Sequence, residues 1–246
     1  TYWNNTGVGN QTRPNHRPFR KLTMDSIRFY VEELHVDGFR FDLAAVLGAS
    51  DSDPNSWAPV ETTLLQEIVD DPSVQKYNTR LLAEPWAAGG NYGFSLGSFP
   101  AATGGDGSFG WMEWNGQYRD YWRGFMNSDF TALNTKEGPA DTGHSMTGSY
   151  VNFGWNGRRP YHSVNFITAH DGFTLYDLVT YEQKVNSCGP LNPRCCDSPL
   201  SAFCDRDSGS DNNRSRNWGS EDMKRQMMRN FFTILMVSQG TPMILG

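Results

Sequence analysis

The order of apolar segments predicts an α/β fold organised on a parallel sheet. Short strand-like runs alternate with helix-period runs along the chain, the pattern of strand–helix–strand units. Three of the short runs end in or just before a carboxylate, at Asp42, Glu84 and Asp171. Strand C-terminal ends are where parallel barrels and open parallel sheets keep their chemistry.

Residues 16–35 read as a helix, with Leu22, Ile27, Tyr30, Val31 and Leu34 at roughly helical spacing and Pro18 near the start. The strand VDGFRFD (36–42) follows. Alternation puts Asp37, Phe39 and Phe41 on one face and Val36, Gly38, Arg40 and Asp42 on the other, so burial of the two rings leaves Arg40 and Asp42 together. A guanidinium two residues from a carboxylate favours its ionised form, and an ionised, positioned carboxylate is a nucleophile. A structural Arg–Asp pair is the alternative reading of this heptapeptide.

Residues 48–60 read as loop, 61–70 as helix, and 80–85 (RLLAEP) as a second strand with Leu82 and Glu84 on one face. The Gly-rich stretch 87–110 is expected to be a long loop, and loops of that length are often functional. A strand near 109–113, a helix over about 116–126, a strand at 163–169, a helix at 223–237 and a last strand at 241–245 complete the series. Trp114 and Tyr118 are expected four apart on one helix, as packing more than as a substrate platform. Residues 183–219 form another long polar loop.

A chain of 246 residues can form one large α/β domain or two small ones. Its net charge of −6 argues against nucleic acid or an anionic membrane as partner, since both call for a basic face. No apolar run approaches the ~20 residues of a membrane span. Aromatics are 13% of the chain, with 8 Trp and 10 Tyr, the flat amphipathic rings a sugar site uses. All 4 cysteines (Cys188, Cys195, Cys196 and Cys204) fall in the second long loop. An even count in a tight loop suggests two local disulfides and an exported protein, extracellular or periplasmic, with a cytoplasmic location the alternative. A zinc site and free thiols are the rival readings, and the spacing lacks paired C-x-x-C or a nearby His. The acidic run 205–211 partly matches a calcium loop but has Arg216 where the twelfth-position Glu belongs, which favours a solvated loop. Asn4 and Asn10 begin Asn-x-Thr triplets, which carry little weight in a chain of unknown source.

The three carboxylates are separated by 42 and 87 residues. An eight-fold barrel spends about 30 residues per strand–helix unit, more where loops are inserted, so the gaps fit one unit and two. On one rim the three acids would converge and push one pKa up, leaving a neutral acid beside an ionised one. Retaining glycoside hydrolysis requires that pair. Glu84, flanked by Leu81, Leu82, Ala83, Pro85 and Trp86, is the better proton donor, and Asp42, beside Arg40, the better nucleophile.

GFRFDLAAVLG (38–48), LLAEPW (81–86), EWNGQYRD (113–120), NFITAHDGFTL (165–175) and SQGTPMILG (238–246) together resemble the α-amylase superfamily of glycoside hydrolases, in its isoamylase and glycogen-debranching branch. The resemblance implies a TIM-type (β/α)8 barrel, here partial, with about strands four to eight. It implies a chain truncated at both ends, the C-terminal portion of the catalytic domain, with 183–219 as a Cys-rich insertion. By it, Asp42 is the nucleophile held ionised by Arg40, Glu84 the general acid/base, and Asp171 the stabiliser of the oxocarbenium-like sugar with His170 beside it. Trp86, Trp111, Trp114 and Asn115 would contact substrate, and the reaction would be hydrolysis of α-1,6 branches in glycogen or amylopectin with retention. No cofactor or metal is expected in this segment, with calcium expected, if anywhere, elsewhere in the longer protein. Transglycosylation through the same intermediate, and a non-catalytic glucan-binding homologue, are the alternatives.

Overall fold

The computed structural model describes residues 3–53, 55–88, 95–127, 142–185 and 212–245. Cys188, Cys195, Cys196 and Cys204, with the disulfides and the acidic run expected there, lie outside the described residues. The chain divides into two units, one of residues 1–115, 147–164 and 239–241, the other of 116–146, 165–238 and 242–246.

The first unit opens with helix α1 (Arg17–Glu32), whose Pro18 sits in the first turn, where its missing N–H costs no bond. The predicted stripe is only partly the buried one. Met24, Ile27 and Val31 face the core, whereas Leu22, Tyr30 and Leu34 are exposed. Strand β1 (Gly38–Phe41) is shorter than the expected 36–42. It has the expected faces: Phe39 and Phe41 pack on the core, and Phe41 meets the Trp111 ring edge-on at 4.8 Å. Next come α2 (Leu64–Val69), capped by the Thr63 hydroxyl, and α3 (Pro72–Lys76), capped by Asp71. Strands β2 (Arg80–Ala83) and β3 (Met112–Trp114) follow. Because β3 runs to residue 114, Trp114 and Tyr118 do not share a helix as expected.

In the second unit, α4 (Gly116–Asn127) and α5 (Thr142–Met146) come first. The chain then returns to the first unit for α6 (Tyr150–Phe153) and the start of β4 (Ser163–Asn165). Helix α7 (Leu175–Leu178) and the long α8 (Glu221–Val237) complete the second unit's helices. Ser220 caps α8, and Glu221 and Asp222 in its first turn complement the positive end of the helix dipole. Strand β5 is Thr241–Pro242, where the Met243 N–H then donates to the Asn165 carbonyl.

Strands β1–β4 pair in parallel with their sequence neighbours, and the sheet order is β1-β2-β3-β4-β5. Doubly wound sheets reverse strand order at a switch point; a barrel winds one way. This order winds one way. Each unit has its own apolar cluster, around Leu64, Leu65, Ile68, Leu81 and Trp111 in the first and around Trp122, Leu178, Met227 and Phe231 in the second. No helix of the described residues is long and apolar enough to cross a membrane.

Candidate active site

The register of β1 on β2 pairs Phe41 with Ala83, so the residues that follow these strands, Asp42 and Glu84, emerge side by side. Backbone hydrogen bonds fix that junction. The Glu84 N–H donates to the Phe41 carbonyl at 3.1 Å, and the Ala44 N–H donates to the Glu84 carbonyl at 3.0 Å. Between them Leu43 adopts the left-handed conformation, with φ of 42°. A branched apolar residue occupies that region only when its surroundings impose it. The consequence is local: the turn aims the Leu43 N–H at the Glu84 carboxylate, 2.8 Å away.

One guanidinium serves both acids. Arg40 reaches Asp42 Oδ1 at 2.9 Å through one terminal nitrogen and Glu84 Oε1 at 2.8 Å through the other. The acids differ in exposure, the Asp42 side chain being 71% accessible and the Glu84 side chain 5%. Burial pushes the Glu84 carboxyl above the usual carboxylate range, and its interaction with Asp42 acts in the same direction. The Leu43 N–H and the Arg40 charge oppose the rise. This is one shielded carboxyl of raised pKa beside an open carboxylate, bridged by a cation.

Two aromatic side chains complete this part of the first unit. Trp114, at the end of β3, lies with its ring centroid 4.7 Å from the Arg40 guanidinium carbon. The half-buried Trp86 ring lies 6.4 Å from Trp114.

Two of the expected substrate contacts are corrected. Trp111 is fully buried in the first core, and its indole N–H donates to the Leu65 carbonyl at 3.0 Å. Asn115 is also fully buried, its amide donating to the Ser149 and Ser163 hydroxyls at 2.9 and 2.8 Å. Neither presents a surface to a ligand. Both tie strand ends and loops together.

His170 and Asp171 belong to the second unit, where Nε2 of His170 lies 3.0 Å from Asp171 Oδ2 and both are exposed. The sequence missed a further acid–base pair of the first unit. Glu113 and Arg158 are fully buried and meet at 2.5 Å. Burial pushes the Glu113 carboxyl up against the lowering effect of Arg158. Glu113 also accepts from the Gly97 N–H, and Arg158 donates to the carbonyls of Gly97 and Trp111. The Glu in EWNGQYRD was visible, but no local pattern ties it to an arginine 45 residues on.

No protein-family model matches the chain. It is 38% identical over 252 residues to an isoamylase of a Flavobacterium species, an overlap of 99% of this chain and 29% of the relative. It is 38% identical over 255 residues to a glycogen operon protein GlgX homolog of Mycobacterium tuberculosis, covering 97% of this chain and 30% of the relative. It is 38% identical over 267 residues to the chloroplastic isoamylase SU1 of Zea mays, covering 98% of this chain and 30% of the relative. The chain therefore spans under a third of the length of these relatives. Among solved structures, a pullulanase from Bacillus acidopullulyticus superimposes with a TM-score of 0.58 at 20% identity, over 98% of this chain and 24% of that one. That likeness concerns fold alone, and the fold class is the expected one, part of a TIM-type (β/α)8 barrel.

Proposed function

The chain belongs to the isoamylase and glycogen-debranching branch of the α-amylase superfamily, and from that premise we propose that the longer protein hydrolyses α-1,6 branch linkages of glycogen or amylopectin with retention of configuration. The chain would be the C-terminal portion of its catalytic barrel, with 183–219 an inserted loop. The observation that carries the proposal is the sharing of Arg40 between an open Asp42 and a shielded Glu84 whose pKa is raised.

In this mechanism an Asp42 oxygen attacks the anomeric carbon of the branch glucose. The glycosidic bond breaks as Glu84 gives its proton to the departing oxygen, and a covalent glycosyl ester on Asp42 results. Glu84, now a carboxylate, takes a proton from water. That water attacks the same carbon, releases Asp42 and restores the original anomeric configuration. A shielded acid remains protonated until a basic oxygen arrives, which is the use of its raised pKa. Arg40 holds Asp42 in the orientation for attack. Trp86, half buried directly after the acid, is the candidate ring for stacking a sugar. Asp171, with His170, is proposed on resemblance alone as the acid that holds the distorted sugar.

The test is Glu84→Gln in the full-length protein, assayed by reducing-sugar release from amylopectin or pullulan. Loss of several orders of magnitude supports the reading, and wild-type rate rejects Glu84 as the acid. Export is proposed separately, on the clustered cysteines. Thiol titration of the denatured protein before and after reduction checks it, and four free thiols beforehand would contradict it.

A further inference from the structure

The guanidinium of Arg40 has its two terminal nitrogens occupied, one by Asp42 and one by Glu84, and its central carbon lies over a ring, 4.7 Å from the ring centroid. That ring, Trp114, is 8% exposed and sits two strands away, so the contact passes over the end of β2, the strand that leads into Glu84. We infer that Trp114 is a positioning residue for the reaction: its ring face holds the Arg40 fork in the one orientation that reaches both acids.

The geometry supports this in three ways. A guanidinium can lie over an aromatic face while its N–H groups remain available to carboxylates, and Arg40 has a ring and two carboxylates as partners at once. Arg40 is a long side chain with a partly exposed head, so without a surface beneath it the fork has several rotamers that abandon Glu84. Trp114 is itself fixed from below. It pairs with Val164 on β4, and its neighbour Glu113 is held on the other face of β3 by the buried Arg158. Among the described residues of the first unit, the charged groups meeting this ring's partner are Asp42 from the end of β1 and Glu84 from the end of β2, while β3 offers only the ring. This role differs from the subsite contact that resemblance suggests, because Arg40 lies over the ring and Trp114 is buried.

The inference rests on the functional reading, and one experiment separates the two. In the full-length protein, Trp114→Leu is expected to lower kcat about tenfold with KM within about twofold, as expected for loss of one cation–π contact. Trp114→Phe, which keeps a ring face, should remain within about threefold of the parent. Trp114→Met fills the space without a ring and carries the same expectation as Leu. In an Arg40→Lys background, which has no planar face to stack, Trp114→Leu should cost little more, because the two changes remove one interaction. Full kcat in Trp114→Leu, equal losses in Phe and Leu, or independent losses with Arg40→Lys would overturn the inference. An inactive parent, or a parent indifferent to Glu84→Gln, would instead overturn the functional reading and the inference with it.

Discussion

Two of the arginine–carboxylate clusters of the first unit differ in exposure, and their contrast sets a structural use of charge beside the proposed chemical one. Arg158 and Glu113 form a sealed pair with no accessible side-chain surface. Every direction is used: Glu113 also accepts from Gly97, and Arg158 also donates to Trp111, Gly97 and Asn156. Arg40 is spread over two acids, one of them mostly accessible. A closed pair has nothing left with which to meet a substrate. The open cluster keeps an exposed carboxyl group beside a shielded one, the arrangement that the proposed reaction uses.

The largest expected effect falls on the open cluster. Asp42→Asn and Glu84→Gln should each lower glucan hydrolysis by several orders of magnitude and leave the denaturation midpoint unchanged or slightly raised. For Glu84→Gln the sign follows from burial, which raises the folded-state pKa of Glu84: the contribution of its protonated form to stability is present at low pH and lost as pH rises through the folded-state value, and a neutral Gln carries none of the desolvation cost of the ionised form. A large fall in midpoint would place this cluster with the structural one.

The closed cluster should behave in the opposite way. Arg158→Leu leaves a buried carboxylate uncompensated, for an expected loss of about 3 kcal/mol or more of stability. The double change Glu113→Gln with Arg158→Leu should cost less than the two single losses combined. Urea denaturation of all three variants reads both, and strict additivity would show that the pair is not coupled.

His162 gives a pH version of the same contrast. It is buried in the first unit, and burial, with Arg158 next in effect, holds its pKa down to about 4. The unfolded chain protonates first, so stability is full above about pH 6.5 and declines as pH falls towards about 4, by a few kcal/mol. His162→Gln should flatten that decline in a urea series from pH 7 to 4. A parallel slope in both proteins would assign the decline to other groups.

The smallest effect is expected at Gly97, which both members of the closed pair grip. Its φ is +88°, and an added Cβ would lie 2.5 Å from the Asn152 carbonyl oxygen. Gly97→Ala should cost about 1–3 kcal/mol, read as a lower midpoint. An unchanged midpoint would mean the loop yields without cost.

What the sequence made legible follows the range of the interactions involved. Strand β1 and the pairing of Arg40 with Asp42 were readable because alternation is local, and α8 because its apolar period is sustained over most of its seventeen residues. Helices α3, α5 and α6 were not read, since four or five residues are too few to show one. Trp111 was expected at a subsite because it stands beside motif residues. Its burial depends on the Leu65 carbonyl, brought from 46 residues earlier. The left-handed Leu43 was equally hidden, because tertiary contacts rather than the residue type impose it. The role of Arg40 as a bridge to Glu84 needed the β1–β2 register, which no single segment states.

The central claim is that Asp42 is the nucleophile whose partner acid is Glu84. The most direct measurement is peptide mass spectrometry of the full-length protein after reaction with a fluorinated glycosyl fluoride that forms the ester and is slow to hydrolyse. A glycosyl label on the peptide containing Asp42, absent in Asp42→Asn, is the predicted result. A label on another carboxylate, or turnover of branched glucan by Asp42→Asn at the parent rate, would contradict it.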